Sequence, residues 1–458
     1  MAGIGFRLRA LIKQDSFFGL LQAYGFAGII SSGPWILSII GILVIGLINT
    51  DKSSSPFVEE FQISVTYLMA FSLILTSPLQ LLFTRFISDR IYEKKESLVL
   101  PNLLGALLLI ITISGIVGSV LLITVFSGSL VYRLLMLTGF VILSATWILI
   151  IILSGLKAHR GILIAFAVGY GITVGLATQL SNLGLEGLMA GFIFGHGVLF
   201  FILLNLVLRS YSSTQLIALD FVKKKQIFLS LSLTGFFYNL AIWADKFIFW
   251  FTPHTSKAVI GPLRASDVYD LPIFLAYLSI IPGMAVFLIR METDFAEKYT
   301  QFYSAINKGK PLKQINKIHT EMSIVVRQGI HEIFKVQGMT VIILMTIGDK
   351  LLTWFGISPL YRLLFNVDLI AVGVQVLLLA ILNLLFYFDY RIVALNLCML
   401  FALSNIAFTA LSIYLGPAFY GYGFAAAVIL TTLVGFILIS NRLERLPYET
   451  FMLRQKPQ

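Results

Sequence analysis

Long apolar segments, separated by short polar stretches, run through nearly the whole chain. Each is about 20 residues or longer, which is enough for a helix to cross the ~30 Å hydrocarbon core of a bilayer. The pattern therefore predicts an all-α polytopic membrane protein with about twelve transmembrane helices. These lie near 20–48, 61–84, 99–126, 134–156, 162–180, 184–208, 227–251, 268–289, 338–357, 364–387, 392–415 and 421–440.

The basic residues lie almost entirely on one side of these segments. Of the 33 Lys and Arg residues, 26 fall in connections on the N-terminal side and five in the opposite connections. Short cytoplasmic loops carry the excess of Lys and Arg, so both termini are predicted to be cytoplasmic. The same loops account for the net charge of +11. The charge therefore indicates membrane orientation and not binding to nucleic acid.

The predicted helices form two groups of six. The N-terminal lobe covers 1–208, a cytoplasmic linker covers 209–226, the C-terminal lobe covers 227–440 and a cytoplasmic tail covers 441–458. Two six-helix halves are a common transporter plan, with the substrate site between the halves near the middle of the membrane. The organisation favours a transporter.

Prolines interrupt three of the segments, at Ser31-Ser32-Gly33-Pro34, Ser77-Pro78 and Pro282-Gly283. Proline removes a backbone donor and clashes with the preceding turn, so each predicts a kink. A kink can serve packing, or it can act as a hinge that lines a cavity.

Small residues point to a close contact between helices 5 and 6. They are Gly171, Gly175, Gly187, Gly191 and Gly195.

The stretch 290–337 is the main polar feature and is predicted to form a cytoplasmic amphipathic hairpin. Its first helix carries an aromatic stripe, defined here as Phe295, Tyr299, Phe302 and Tyr303. Their spacing places them on one helix face. A break is predicted at 307–311. The stripe could lie on the membrane surface or bind a cytoplasmic protein partner.

Two acid–base pairs lie inside predicted helices: Asp245-Lys246 and Asp349-Lys350. Ionisable residues at membrane depth suggest a functional site, either in the substrate pathway or in ion coupling. Adjacent helical residues point about 100° apart, so pairing across helices is the natural way to neutralise them. The alternative is a purely structural role. Three further candidates for the pathway are aromatic or polar residues of the same helix: Tyr238, Asn239 and Trp243.

Recognisable catalytic chemistry is missing from the sequence. The chain has no Gly-x-x-x-x-Gly-Lys-Ser/Thr motif, and His331-Glu332 has no second histidine at metalloprotease spacing. The five histidines are scattered and Cys398 is the single cysteine, so neither a metal site nor an intramolecular disulfide is predicted. These observations argue against an enzyme and against a bound cofactor.

Four long runs resemble the PelG family of Pel exopolysaccharide transporters. They are Met1 to Gly41, Trp243 to Phe247, Gly261 to Ser266 and Tyr269 to Tyr303, and the resemblance extends over the whole chain. It implies the fold of the multidrug/oligosaccharidyl-lipid/polysaccharide exporter superfamily, with two six-helix lobes around a central cavity. It also implies a location in the bacterial inner membrane and a polymer rich in N-acetylgalactosamine and N-acetylglucosamine.

The same resemblance implies three partners: the glycosyltransferase PelF, the cyclic-di-GMP receptor PelD and the scaffold PelE. It brings no set of functional residues with it. Two other transport functions stay open, namely a lipid-linked oligosaccharide flippase and a cation-coupled exporter of small molecules.

Overall fold

The computed structural model describes residues 27–28, 36–48, 56–126, 128–153, 159–223 and 228–452. Helices dominate this part of the chain. They are α1 Ile36–Ile48, α2 Pro56–Tyr92, α3 Val99–Thr124, α4 Leu130–Leu153, α5 His159–Leu180, α6 Gly184–Ser210, α7 Leu229–Phe251, α8 Asp270–Tyr277, α9 Ile280–Ile289, α10 Ala296–Asn307, α11 Leu312–Trp354, α12 Arg362–Tyr387, α13 Arg391–Leu415 and α14 Tyr422–Met452. An antiparallel hairpin of β1 Lys257–Ile260 and β2 Leu263–Ala265 follows α7.

Nine segments of the described chain are long and apolar enough to cross a membrane. One of the nine, Gly161–Ser210, contains both α5 and α6, which are joined by a 3₁₀ turn. Helix α7 is also long, at 23 residues, but it is too polar to belong to these nine segments. The protein is therefore a helical multi-pass membrane protein. The count of twelve helices and the cytoplasmic termini stay predictions.

The chain packs into two compact units, one of residues Pro34–Asp270 and one of Met1–Gly33 with Leu271–Gln458. In the first unit α7 packs along α2. The reason is local: Gly235 has no side chain, and a Cβ there would overlap the carbonyl oxygen of Ser77. The boundaries of these packing units differ from those of the predicted lobes 1–208 and 227–440. The two transport lobes stay a prediction.

The proline of α2 does not end that helix, which continues through Pro78. A proline at this position leaves the carbonyl of Ile74 without its usual donor. The hydroxyl of Ser77 replaces it and donates to Ile74 O at 2.7 Å. Backbone groups inside a membrane need such internal partners. The Ser31–Pro34 break lies outside the described residues.

Helices α5 and α6 form the tight contact that the glycines predict. A Cβ at Gly191 would overlap Ala177, and one at Gly195 would overlap Thr173. The expected contribution of Gly171 and Gly175 is wrong, because neither has a neighbour within 4 Å of an added Cβ. The small residues therefore act mainly from the α6 side.

Hydrogen bonds fix the linker after α6 to the first turn of α3. The buried Asn102 donates from Nδ2 to Asp220 Oδ2 at 3.0 Å and accepts from the Asp220 backbone N–H at 2.7 Å. Hydrogen bonds from Lys223 and Asn102 hold the pKa of Asp220 below its ordinary value. This part of 209–226 is thus fixed to the helical unit.

In the second unit, the Pro282-Gly283 interruption divides the predicted eighth helix into α8 and α9. The side chain of Gln337, on α11, fills the gap: its Nε2 donates to Ser279 O at 3.1 Å. Gly283 makes room for it, since a Cβ there would overlap Gln337. The break predicted at this position is therefore present, and α11 packs into it.

The hairpin 290–337 is present with the predicted break. A turn of π-helix, Arg290–Phe295, leads into α10, which ends at Asn307. Gly309 then takes a φ of +62°, a conformation that glycine adopts without strain. The second hairpin helix and the predicted helix 338–357 are one continuous helix, α11, of 43 residues.

Candidate functional site

The C-terminal part of α7 holds a buried ion pair. The side chains of Asp245 and Lys246 are 0% and 1% exposed, and Lys246 Nζ lies 2.9 Å from Asp245 Oδ2 and 3.2 Å from Oδ1. The expectation that these neighbours point apart is wrong. The lysine side chain bends back along the helix, where Nζ also donates to Ile242 O at 2.9 Å. The two charges therefore neutralise each other within one helix.

Tyr269 completes the surroundings of the carboxylate. Its hydroxyl donates to Asp245 Oδ2 at 2.5 Å, and its ring stacks on Phe249 at a centroid distance of 4.0 Å. Tyr269 follows the β-hairpin, so the hairpin's return onto α7 places this donor. Burying a charged pair costs free energy unless the remaining lone pairs are hydrogen-bonded, and the tyrosine meets that requirement.

One turn further along α7, Trp250 anchors a second buried carboxylate. Its indole Nε1 donates to both oxygens of Asp270, at 2.7 and 2.9 Å. The backbone N–H of Ser266 donates to Asp270 Oδ2 at 2.9 Å. The ring of Trp250 stacks on Tyr67 of α2 at 4.5 Å. This network fastens α2, α7 and the start of α8 to one another.

Arg264 of β2 connects the β-hairpin to this network. Its Nε donates to Trp250 O at 3.0 Å and to Ser256 Oγ at 2.9 Å, while Tyr67 OH donates to Arg264 O at 3.1 Å. The sequence pattern did not single out Tyr67, Arg264 or Asp270. The available signal was the proximity of the run 261–266 to Tyr269 and Asp270. We call Tyr67, Asp245, Lys246, Trp250, Arg264, Tyr269 and Asp270 the α7 cluster.

The three other α7 candidates take different places. Trp243 is buried, with its ring 6.0 Å from Lys246 Nζ and 6.3 Å from the ring of Trp250, so it belongs with the cluster. Tyr238 and Asn239 are partly exposed. The amide of Asn239 donates to Gly235 O, within its own helix, at 3.2 Å.

The second acid–base pair lies in a different environment. Asp349 and Lys350 are exposed at the end of α11. The carboxylate of Asp349 pairs with Arg362 of the next helix at 2.5 Å, with side chains 52% and 48% exposed. Pairing of Asp349 with the α7 lysine was the sequence expectation. The structure instead gives each aspartate a basic partner near it in the chain.

The aromatic stripe of the hairpin packs inside the chain. Phe295 and Phe302 are fully buried, and the Phe295 ring contacts Tyr387 at 5.1 Å and Phe388 at 5.7 Å. Tyr299 packs on Tyr387 at 5.4 Å. Tyr303 is partly exposed. The stripe was expected to have no packing partner within the chain. This expectation is wrong, because the end of α12 covers the stripe.

The α7 cluster is suited to holding helices together. Each buried cation has an anion or carbonyl beside it, and aromatic rings surround the pair. In the described part of the chain, no three His, Cys, Asp or Glu side chains come together as a metal site.

Residues 1–451 match the model of the PelG family, described as "Putative exopolysaccharide Exporter (EPS-E)". A comparison with curated proteins finds no match.

Several solved transporters share the fold. The chain is 13% identical to a MATE protein in the straight conformation, with a TM-score of 0.64 and 98% and 99% of the two chains covered. It is 14% identical to a multidrug resistance MATE family transporter of the MOP superfamily in its outward-facing conformation, with a TM-score of 0.63 and 93% and 96% covered. A MOP superfamily transporter from Pyrococcus furiosus gives 14% identity and a TM-score of 0.55, with 89% and 95% covered. On these findings, the chain belongs to the PelG family of exopolysaccharide exporters and has the fold of the MATE transporters.

Proposed function

We propose that this protein carries the Pel exopolysaccharide, a polymer rich in N-acetylgalactosamine and N-acetylglucosamine, across the bacterial inner membrane. The observation that carries the proposal is the family match over residues 1–451. The resemblance of four long sequence runs to Pel transporters supports the choice of polymer. The transporter fold of the structural neighbours supports movement of a solute rather than chemistry on it.

The charge pattern of α7 agrees with a neutral substrate. Asp245 and Lys246 cancel each other at 2.9 Å, so the pair gives this helix no net charge. A polymer of acetylated amino sugars is neutral. A lipid-linked oligosaccharide carries a diphosphate and would favour an excess of cations, as Arg and Lys bind phosphate through charge-assisted hydrogen bonds.

Export can be tested in cells that retain the other parts of the Pel system. Deletion of this protein should abolish secreted polymer, measured with a lectin for N-acetylgalactosamine, while turnover of the nucleotide sugar by the glycosyltransferase continues. Polymer should then accumulate in the cytoplasm. Re-expression of the chain should restore secretion. Loss of nucleotide-sugar turnover together with secretion would contradict a transport role.

Two additional measurements separate the alternative functions. If the accumulated polymer is extracted into chloroform–methanol as a lipid conjugate, the protein is a lipid-linked oligosaccharide flippase. If secretion in inverted vesicles stops when an uncoupler is added although polymer synthesis continues, an ion gradient drives transport. We expect a water-soluble polymer and secretion that follows synthesis.

The direction of export depends on the orientation of the chain. Cys398, the single cysteine, is buried, so an introduced cysteine can be labelled without interference from it. Leu360 is 89% exposed in a connection predicted to be periplasmic, and Ser212 is exposed in the predicted cytoplasmic linker. In intact cells a membrane-impermeant maleimide should label Leu360→Cys and spare Ser212→Cys. The reverse result would invert the topology.

We propose that the partners PelF, PelD and PelE meet the hairpin on its polar side. The stripe residues Phe295 and Phe302 are buried, whereas the tip of the hairpin exposes a group of lysines. They are Lys308, Lys310 and Lys313.

Replacing all three tip lysines by Gln should reduce co-purification of the partner complex, since exposed charges mainly govern encounter and specificity. A matched control is the triple change of exposed polar residues on α10, Glu297→Gln, Thr300→Ala and Gln301→Ala. Unchanged co-purification in the lysine variant would remove the tip from the interface.

A further inference from the structure

A groove of about 620 Å³ runs along the second unit between α11, α12 and α14. Its lining changes along its length. His319, Ser440 and Glu444 line one end, and Arg327 follows about 12 Å further along α11. The lining also includes the apolar residues Leu433 and Phe436. The volume is in the range of small-molecule sites, about 300–1,000 Å³.

The register of the two helices that form the polar end is fixed. His319 Nε2 donates to Leu443 O at 2.9 Å, so the start of α11 lies beside the end of α14. The groove extends from His319 to Phe334 along α11, which is about 22 Å at 1.5 Å per residue. One leaflet of a bilayer, with its headgroups, is also about 20–22 Å thick.

The groove faces the region where lipid is expected. Phe334 and Leu433, on the two sides of the groove, are 60% and 57% exposed. An apolar helix face that stays exposed in a membrane protein contacts acyl chains. The polar end lies beside Leu443 and Glu444, in the tail 441–458 that the distribution of basic residues predicts to be cytoplasmic.

The charges at the polar end complement a zwitterionic headgroup. Arg327 and Glu444 are both exposed, and neither is ion-paired with another described residue. A guanidinium binds a phosphate through charge-assisted hydrogen bonds, and a carboxylate accepts hydrogen bonds from a primary ammonium. A headgroup that carries both a phosphate and a primary amine would satisfy the two residues together.

We propose that this groove is a binding site for one phosphatidylethanolamine molecule of the cytoplasmic leaflet. Arg327 binds the phosphate, Glu444 accepts the ammonium group, and the acyl chains lie against Leu433, Phe436 and Phe334. The site lies within one packing unit and is distinct from the α7 cluster.

Native mass spectrometry of the full-length protein tests the site. The detergent-solubilised protein is mixed with equal amounts of phosphatidylethanolamine, phosphatidylcholine and phosphatidylglycerol that have the same acyl chains. Wild type should retain phosphatidylethanolamine in excess. Arg327→Gln should lower retention of all three lipids on the order of tenfold, the effect of one lost charged hydrogen bond. Arg327→Lys should recover part of it.

Glu444→Gln gives the second arm of the experiment. This variant should keep total lipid retention but lose the preference for phosphatidylethanolamine over phosphatidylcholine, because trimethylation removes the donors that Glu444 recognises. Lys335→Gln is the matched control: an exposed cation of the same helix outside the groove. Equal retention of the three lipids by wild type, or unchanged retention in Arg327→Gln, would overturn the proposal. A preference for phosphatidylglycerol would do the same.

Discussion

Two segments of this chain have the same pattern and opposite surroundings. Asp245-Lys246 is followed after four residues by Trp250, and Asp349-Lys350 is followed at the same distance by Trp354. In α7 the aspartate, lysine and tryptophan are all buried. In α11 the aspartate and lysine are exposed, and the tryptophan is 74% exposed.

The difference comes from the segment that follows each of the two helices. After α7, the β-hairpin turns back and brings Arg264, Tyr269 and Asp270 against the helix. After α11 comes only a 3₁₀ turn, Pro359–Tyr361, before α12 begins. A short connection cannot cover the end of the helix. The same three residues therefore form a buried network in one place and a surface ion pair in the other.

The most damaging single change should be Asp245→Asn. It leaves the ammonium of Lys246 buried without its carboxylate, which costs about 3–5 kcal/mol of unfolding free energy. Protein level and the thermal unfolding midpoint in detergent should both fall strongly. Adding Lys246→Met removes the stranded charge, so the double variant should recover most of the level and stability.

The double variant also separates structure from transport. Recovery of export along with stability would show that the pair holds helices in place. If Asp245→Asn instead expresses at the wild-type level and fails to export, the carboxylate acts in coupling, and the structural interpretation is wrong.

Trp250→Phe should have the next largest effect. The change keeps an aromatic ring on Tyr67 but removes the N–H that donates to Asp270 at 2.7 Å. A buried acceptor that loses its partner costs about 1–3 kcal/mol. Trp354→Phe is the matched substitution in α11 and should stay within about 0.5 kcal/mol of wild type. Equal shifts of the unfolding midpoint in the two variants would contradict the difference in surroundings between Trp250 and Trp354.

Asp349→Asn should give the smallest effect. The ion pair between Asp349 and Arg362 is about half exposed on both sides, and such surface pairs contribute about 0–1 kcal/mol. The difference in unfolding midpoint from wild type should shrink further at high salt. A loss comparable to that of Asp245→Asn would mean that Asp349 is buried in the working protein.

The sequence predicted the helical membrane fold well because the length of apolar segments is set by the bilayer and not by tertiary contacts. The orientation that follows from the side preference of Lys and Arg stays a prediction. It also identified the α6 glycines and the break of the hairpin after Asn307, which depend on local chemistry. It failed where a distant segment decides the outcome. Asp245 and Lys246 looked like partners for another helix, and only the return of the β-hairpin explains their local pairing.

The aromatic stripe shows the same limit. The spacing of Phe295, Tyr299 and Phe302 correctly predicted one helix face, but spacing carries no information on what covers that face. Tyr387 and Phe388 lie about 90 residues away in the chain and reach the stripe only after α11 and α12 have folded. Likewise, no pattern in the sequence indicated that Trp250 would bind Asp270.

The uninterrupted length of α11 gives the protein a lever arm. A helix of 43 residues is about 64 Å long, so about 34 Å, counted over both ends, remain outside the ~30 Å hydrocarbon core. Ion pairs brace α11 against the preceding segment: Arg290 pairs with Glu332 at 2.5 Å and Lys298 with Glu321 at 2.7 Å. A tilt of about 10° in the membrane would swing the far end by about 6 Å, given the 1.5 Å rise per residue. Small rotations among the membrane helices are thereby amplified at the hairpin tip.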